Sequence, residues 1–272
     1  MGKIAKNQVG MVFRYQGQNI YYRKNGTGKY TIVFLHGFPE DGSVFDKQAA
    51  FLSDGCRIIV PDLPGAGQSP FNGQLQSIED FAKAIVALIR YEQLENIVVL
   101  GHSMGGYMAL AVEDLFPSLT QAFGLIHSTA FADSEEKKEN RRKSIRFMGK
   151  HGSAAFAKKA VPGNFTDTFI QNNQDTVEAL AANASTFPKE GLQRFYQIMM
   201  DRPDRTFVLN THKPVLSIIG EEDKAAPLQD LLQQVKLPRI SDTHILPHVA
   251  HMGMLEATDA VNNYILRFVQ YL

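Results

Sequence analysis

This chain has a single cysteine, no excess of charge of either sign and no apolar run long enough to cross a membrane. One thiol, Cys56, excludes an intramolecular disulfide. Its place beside the apolar run Arg57-Ile58-Ile59-Val60 marks it as a buried structural residue rather than a reactive one. With 28 basic and 28 acidic side chains in 272 residues, the charge balance argues against a nucleic-acid binder and against docking on a strongly anionic surface. No stretch approaches the roughly 20 apolar residues of a membrane helix. The opening Met1-Gly2-Lys3-Ile4-Ala5-Lys6-Asn7 lacks the apolar core of a signal peptide, and Lys6 stands where a myristoylation signal needs serine or threonine. The expectation is a soluble cytoplasmic protein, monomer or homodimer, that acts on a small molecule. Neither cofactor nor metal is expected, and neither nucleic acid nor membrane as a partner.

Internal repeats and low-complexity tracts are missing as well. The length suits one large α/β domain with an insertion, and roughly three quarters of the unfolded surface can be buried at this size. Strand-like and helix-like segments alternate, as in a mostly parallel sheet covered on both faces. Met11 to Tyr15 and Asn19 to Arg23 flank Gln16-Gly17-Gln18 as an opening hairpin. Buried strands are predicted at Thr31 to Leu35, Arg57 to Val60 and Ile97 to Leu100, and further strands at Ala122 to His127, Lys213 to Ile219 and Arg239 to Leu246. Ile78 to Tyr91 carries Phe81, Ile85, Leu88 and Ile89 at helical spacing, with Ser77 as N-cap. His251 to Leu272 reads as one amphipathic helix. Between residues 131 and 207 the rhythm changes. No strand-like run occurs there, yet the segment holds eight of the 18 phenylalanines, too many for a disordered linker. An inserted helical unit is expected, with 1–130 and 208–272 forming the core.

Gly101-His102-Ser103-Met104-Gly105 follows a strand and opens a helix, Tyr107 to Leu115. Gly-x-Ser-x-Gly in that setting is a nucleophile elbow, a sharp turn that exposes the serine hydroxyl. A serine hydroxyl needs a base, itself oriented by an acid. His251, in the loop between the last strand and the last helix, is the candidate base, and His248 is its rival. Ser217-Ile218-Ile219-Gly220-Glu221-Glu222-Asp223 ends a strand in three carboxylates; Asp223 is the candidate acid and Glu222 the alternative. An oxyanion needs two donors. The N–H of Met104 follows the nucleophile, and His36-Gly37-Phe38-Pro39 offers the N–H of Phe38.

These motifs, with Asp62-Leu63-Pro64-Gly65-Ala66-Gly67-Gln68-Ser69 and His251 to Glu256, resemble the α/β-hydrolase superfamily in its branch with a helical cap. The resemblance spans nearly the whole chain outside 131–207. It implies an α/β-hydrolase fold: an eight-stranded, mostly parallel sheet with helices on both faces and a cap inserted after the sixth strand. Ala250 replaces the glycine common before the catalytic histidine, and Ala66 sits within the Pro64 loop. Gly65 and Gly67 are expected as turn formers.

Serine at 103 excludes the alkyl-ester chemistry of epoxide hydrolases and haloalkane dehalogenases, which use aspartate there. It points to cleavage of an ester, thioester or lactone through an acyl-enzyme. A cofactor-free perhydrolase (haloperoxidase-like), a C–C bond hydrolase and a ligand-binding receptor on the same fold are the alternatives. The aromatic residues of 131–207 are expected mostly to pack the cap. Its charge run should be a solvated face with a Glu139/Lys143 pair, or Arg141, Arg142 or Arg146 should hold a substrate carboxylate. His127 and Ser128 fall near the expected pocket floor, with a structural role as the plainer expectation.

Overall fold

The computed structural model describes residues 9–272. Eight strands follow in chain order: β1 (Val9–Tyr15), β2 (Gln18–Asn25), β3 (Thr31–Leu35), β4 (Arg57–Pro61), β5 (Ile97–His102), β6 (Thr120–Ile126), β7 (Pro214–Gly220) and β8 (Ile240–Leu246). They form one sheet in the order β1-β2-β4-β3-β5-β6-β7-β8. β1 and β2 form an antiparallel hairpin closed by Gln16-Gly17, both at positive φ, 47° and 80°. That turn matches the natural twist of the two strands. β2 is antiparallel to β4, and every later pairing is parallel. β3 and β5 are buried at every position, as expected of central parallel strands covered on both sides.

Helix α1 (Asp46–Leu52) connects β3 to β4, and α2 (Ile78–Tyr91) connects β4 to β5 on the other side of β3. Right-handed crossovers running in opposite directions along a sheet place their helices on opposite faces. α2 starts where Ser77 Oγ accepts the N–H of Asp80 at 3.2 Å and buries Phe81, Ile85, Leu88 and Ile89. It packs beside α3 (Met104–Leu115), while α1 packs beside the last helix. The direction of winding reverses between β3 and β5. Their carboxyl ends therefore diverge into a crevice, the usual place for a ligand in such sheets.

Between β6 and β7 lie α4 (Glu135–Ala160), α5 (Asp167–Asn172), α6 (Gln174–Ser185) and α7 (Lys189–Asp201), with no strand among them in the described residues. α4 is broken at Gly152, where φ is 81° and ψ 174°, and it packs on α6 and α7. Gly191 of α7 meets Gly65 of the core so closely that a Cβ on Gly191 would stand 2.9 Å from the Gly65 Cα. Past β7, α8 (Leu228–Gln234) leads to β8. The single terminal helix expected from the sequence is instead two, α9 (Gly253–Glu256) and α10 (Thr258–Gln270). Ala257, at φ −133° and ψ 49°, separates them, and the break turns the Glu256 carboxylate back toward the loop before α9. No helix among the described residues is long and apolar enough to cross a membrane.

Candidate active site

Ser103 stands between β5 and α3 with φ 48° and ψ −115°, a conformation that an L residue holds only when its surroundings impose it. Those surroundings are close. A Cβ on Gly101 would strike the main chain of Gly105, and one on Gly105 would strike the carbonyl of Leu35. The Ser103 N–H donates to Ile126 O at 3.0 Å, and its carbonyl accepts from Gly106 N at 2.9 Å and Ser128 Oγ at 2.7 Å. The serine backbone is pinned on both sides while its residue stays partly open to solvent.

The loops after β7 and β8 run side by side: Glu221 N donates to Leu246 O, and Glu222 N to Val249 O. A side chain on Gly220 would collide with Ala250 O, so the glycine permits this approach. Asp223 Oδ2 then lies 2.7 Å from His251 Nδ1. Its Oδ1 accepts the N–H groups of Ala225 and Ala226 at 2.8 and 2.9 Å. Burial would raise the Asp223 carboxyl, but the charge and hydrogen bond of His251, with the nearby His127 ring, outweigh it and hold the group far below the carboxylate range. Burial would likewise depress His251, yet the neighbouring Asp223 charge, helped by Glu40 and Glu256, raises it. His248 and Glu222 sit apart from this pair: they face one another 3.5 Å apart at the surface, with side chains 89% and 50% exposed.

The loop after β3 closes the crevice. His36 Nδ1–H donates to Gly37 O at 2.8 Å and its Nε2 accepts the N–H of Leu63 at 2.9 Å. The latter bond ties this loop to the Asp62–Ser69 turn, which Asp62 braces by accepting Gly42 N at 3.0 Å and Gln68 N at 2.8 Å. Gly65 and Gly67 turn that loop at φ 110° and 54°. Gly37 lies against His102 and Ser103, with room for no side chain. Glu40 Oε2 accepts Gly37 N at 3.1 Å and faces His102 Nδ1 at 3.0 Å, while His102 Nε2 lies 2.9 Å from His251 O. Burial pushes the Glu40 carboxyl up, but His102, His36 and His251 bring it below its ordinary value. The Phe38 ring packs against Tyr196 and Phe156, at 4.4 and 5.7 Å between centroids. Met104, at the N-terminus of α3, is fully buried.

The structure thus joins Asp223 to His251 and sets the main chain of His251 against His102, next to Ser103. Ser103 Oγ and the His251 ring are not hydrogen-bonded to one another in this arrangement. Glu40, Glu256 and a direct part for His127 are not predicted by the sequence, because their partners lie many residues away. His127, Asp223 and His251 bring ligand-capable atoms within 4.8 Å of one another; Asp223 and His251 are hydrogen-bonded to each other and His127 Nε2 accepts Gly253 N, while His127 Nδ1 has no hydrogen-bond partner. The arginines considered for a substrate carboxylate are also engaged. Arg141 binds Asp133 at 2.6 Å and lies over Tyr196, and Glu139 pairs with Arg142 and Arg146 rather than with Lys143.

A profile of the alpha/beta hydrolase family matches residues 32–263. The uncharacterized hydrolase YugF of Bacillus subtilis is 24% identical over 265 residues, covering 95% of this chain and 97% of that protein. Pimeloyl-[acyl-carrier protein] methyl ester esterase of Vibrio cholerae is 27% identical over 226 residues, 81% of this chain and 77% of its own. Among solved structures, a thermophilic esterase from Thermogutta terrifontis superposes with a TM-score of 0.89 at 26% identity, covering 98% of this chain and 99% of its own.

Proposed function

This chain belongs to the alpha/beta hydrolase family, and from that premise we propose that it is a serine hydrolase cleaving a small carboxylic ester, thioester or lactone through an acyl-enzyme. Ser103 Oγ attacks the carbonyl carbon. His251, whose Nδ1–H is engaged by Asp223, offers a bare Nε2 lone pair to take the serine proton. Asp223 holds that tautomer and stabilises the imidazolium. The N–H groups of Phe38 and Met104 receive the oxyanion, aided by the positive end of α3. Collapse expels the alcohol or thiol, which leaves with the proton from His251. Water, deprotonated by the same nitrogen, then releases the acid.

The Asp223–His251 hydrogen bond beside the elbow serine is the observation that carries this reading. A turn of the serine side chain toward the histidine completes the relay, as happens in many sites that tighten only when substrate is bound. Residues 131–207 serve as the cap, and the packing of Phe38 on Phe156 and Tyr196 supports a roof directly over the oxyanion loop. Names of relatives such as the methyl ester esterase agree with ester bonds as the target.

Turnover of p-nitrophenyl acetate and butyrate, with labelling by a fluorophosphonate, tests the proposal. Ser103→Ala should abolish labelling and lower kcat by about 10⁴ or more. Turnover within about tenfold of the natural protein in that variant would refute it.

A further inference from the structure

His127 follows β6 and is fully buried, with its main-chain N–H and its ring Nε2 both held by neighbours while Nδ1 makes no regular hydrogen bond. Its N–H donates to Ile218 O at 2.8 Å. Its Nε2 accepts the N–H of Gly253 at 3.1 Å, an approach open only because residue 253 has no side chain. A neutral imidazole whose Nε2 accepts carries its proton on Nδ1, and the group within reach of that otherwise unpartnered Nδ1 is Asp223 Oδ2, a long electrostatic approach of 3.4 Å. The same oxygen receives His251 Nδ1–H at 2.7 Å. Two imidazoles therefore converge on one carboxylate oxygen. The main chain of His127 is also held in the left-handed region, at φ 47°, a strain that the fold maintains at a residue with no surface role.

We propose that His127 is a positioning residue of the catalytic relay, a second and persistently neutral imidazole that shares Asp223 with His251. This rests on the serine-hydrolase reading above. The His127 Nδ1–H orients the carboxylate and draws charge from Oδ2. Asp223 consequently holds the His251 imidazolium less tightly than a carboxylate serving one histidine would, and the base releases its proton nearer neutrality. Burial depresses His127 to about 4 against the pull of Asp223, with His251 and His102 adding to the depression. Those three groups are the titratable neighbours that face it: Asp223 from the loop after β7, His251 from the loop after β8, and His102 from β5, the two rings each at 6.0 Å. His251 is faced in addition by Glu40 and Glu256.

The experiment compares His127→Phe, which removes the donor, with His127→Asn. Asparagine keeps an N–H where Nδ1 stood and tolerates left-handed backbone. The acid limb of kcat/KM for p-nitrophenyl acetate should move to higher pH by about half a unit or more in the Phe variant, and by no more than about 0.2 in the Asn variant. Lower activity with an unmoved acid limb in the Phe variant would overturn the proposal and leave His127 a packing residue. Nitrogen NMR of labelled wild-type and Ser103→Ala protein gives a second reading that does not depend on turnover or on the Phe variant folding. His127 should keep its proton on Nδ1 from about pH 5 to about pH 9. A proton on Nε2, or a His127 that titrates in that range, would sink the idea. Retained activity in Ser103→Ala would instead strike the hydrolase reading, with the tautomer decided separately.

Discussion

Glu256 binds Thr166 twice, accepting its main-chain N–H at 3.0 Å and its hydroxyl at 2.9 Å on the same oxygen, Oε2. Its other oxygen accepts the N–H groups of Ala250 and Met252 at 3.1 and 3.3 Å, the residues on either side of His251. The N–H of His251 in turn donates to Asn164 O at 3.0 Å. One carboxylate and one peptide bond thus fasten the histidine loop to the chain that enters α5. Glu256→Ala would leave these donors without an acceptor. It should cost about 2 kcal/mol of stability and, by shifting the histidine, about 10- to 100-fold in kcat/KM. Glu256→Gln should recover part of both. Thermal unfolding and steady-state kinetics on the two variants measure this.

Asp223→Asn should lower kcat by about 10⁴, because the amide no longer accepts the His251 Nδ1–H and the wrong nitrogen carries the proton. Glu222→Gln and His248→Ala, which alter the exposed pair, should each change kcat/KM by no more than about threefold. A large loss in Glu222→Gln with a small one in Asp223→Asn would move the acid to residue 222.

Stability should fall on mild acidification, and His127 is one reason. Its folded value is about 4 against 6.5 for the free side chain. Between those values the unfolded chain takes up a proton that the folded protein refuses, so stability rises with pH there. The contribution is about 3 kcal/mol across the window. Asp223, depressed, adds stability that is present above the ordinary carboxylate range and lost only in stronger acid. His251, raised, acts in the other direction: its contribution is full below 6.5 and fades as pH climbs through its folded value. Urea midpoints measured from about pH 7 to about pH 4 should drop less steeply in His127→Asn than in the natural protein.

Gly105→Ala should destabilise by about 3 kcal/mol or more, because the new methyl meets the Leu35 carbonyl, a backbone atom that cannot swing away. Gly163→Ala, where open space surrounds the position, should fall within about 0.5 kcal/mol of the natural protein. Denaturant unfolding of the pair separates a steric demand from a general effect of losing glycine.

Local patterning makes much of this fold legible in the chain. Thr31 to Leu35 is a short apolar run without a charge, and Ile78 to Tyr91 has a cap and a 3.6-residue rhythm; both elements have the predicted bounds. The elbow is legible because its two glycines answer collisions four and five residues away, and across one neighbouring strand. What patterning misses is made by distant partners. Glu40 meets His102 across 62 positions, and Glu256 meets Thr166 across 90. No periodicity records such pairs. The break at Ala257 escapes for a related reason, since the apolar spacing of residues 251–272 continues through it. Glu139 turns to Arg142 and Arg146 because both reach it from its own helix face, where Lys143 was an equally good prospect by spacing alone.

The meeting of Gly65 and Gly191 sets a dimension. Where two peptide backbones touch without side chains between them, the spacing between α7 and the Asp62–Ser69 turn is fixed by the thickness of main chain alone. A single methyl at either position would act as a wedge, prising α7 away from the Asp62–Ser69 turn.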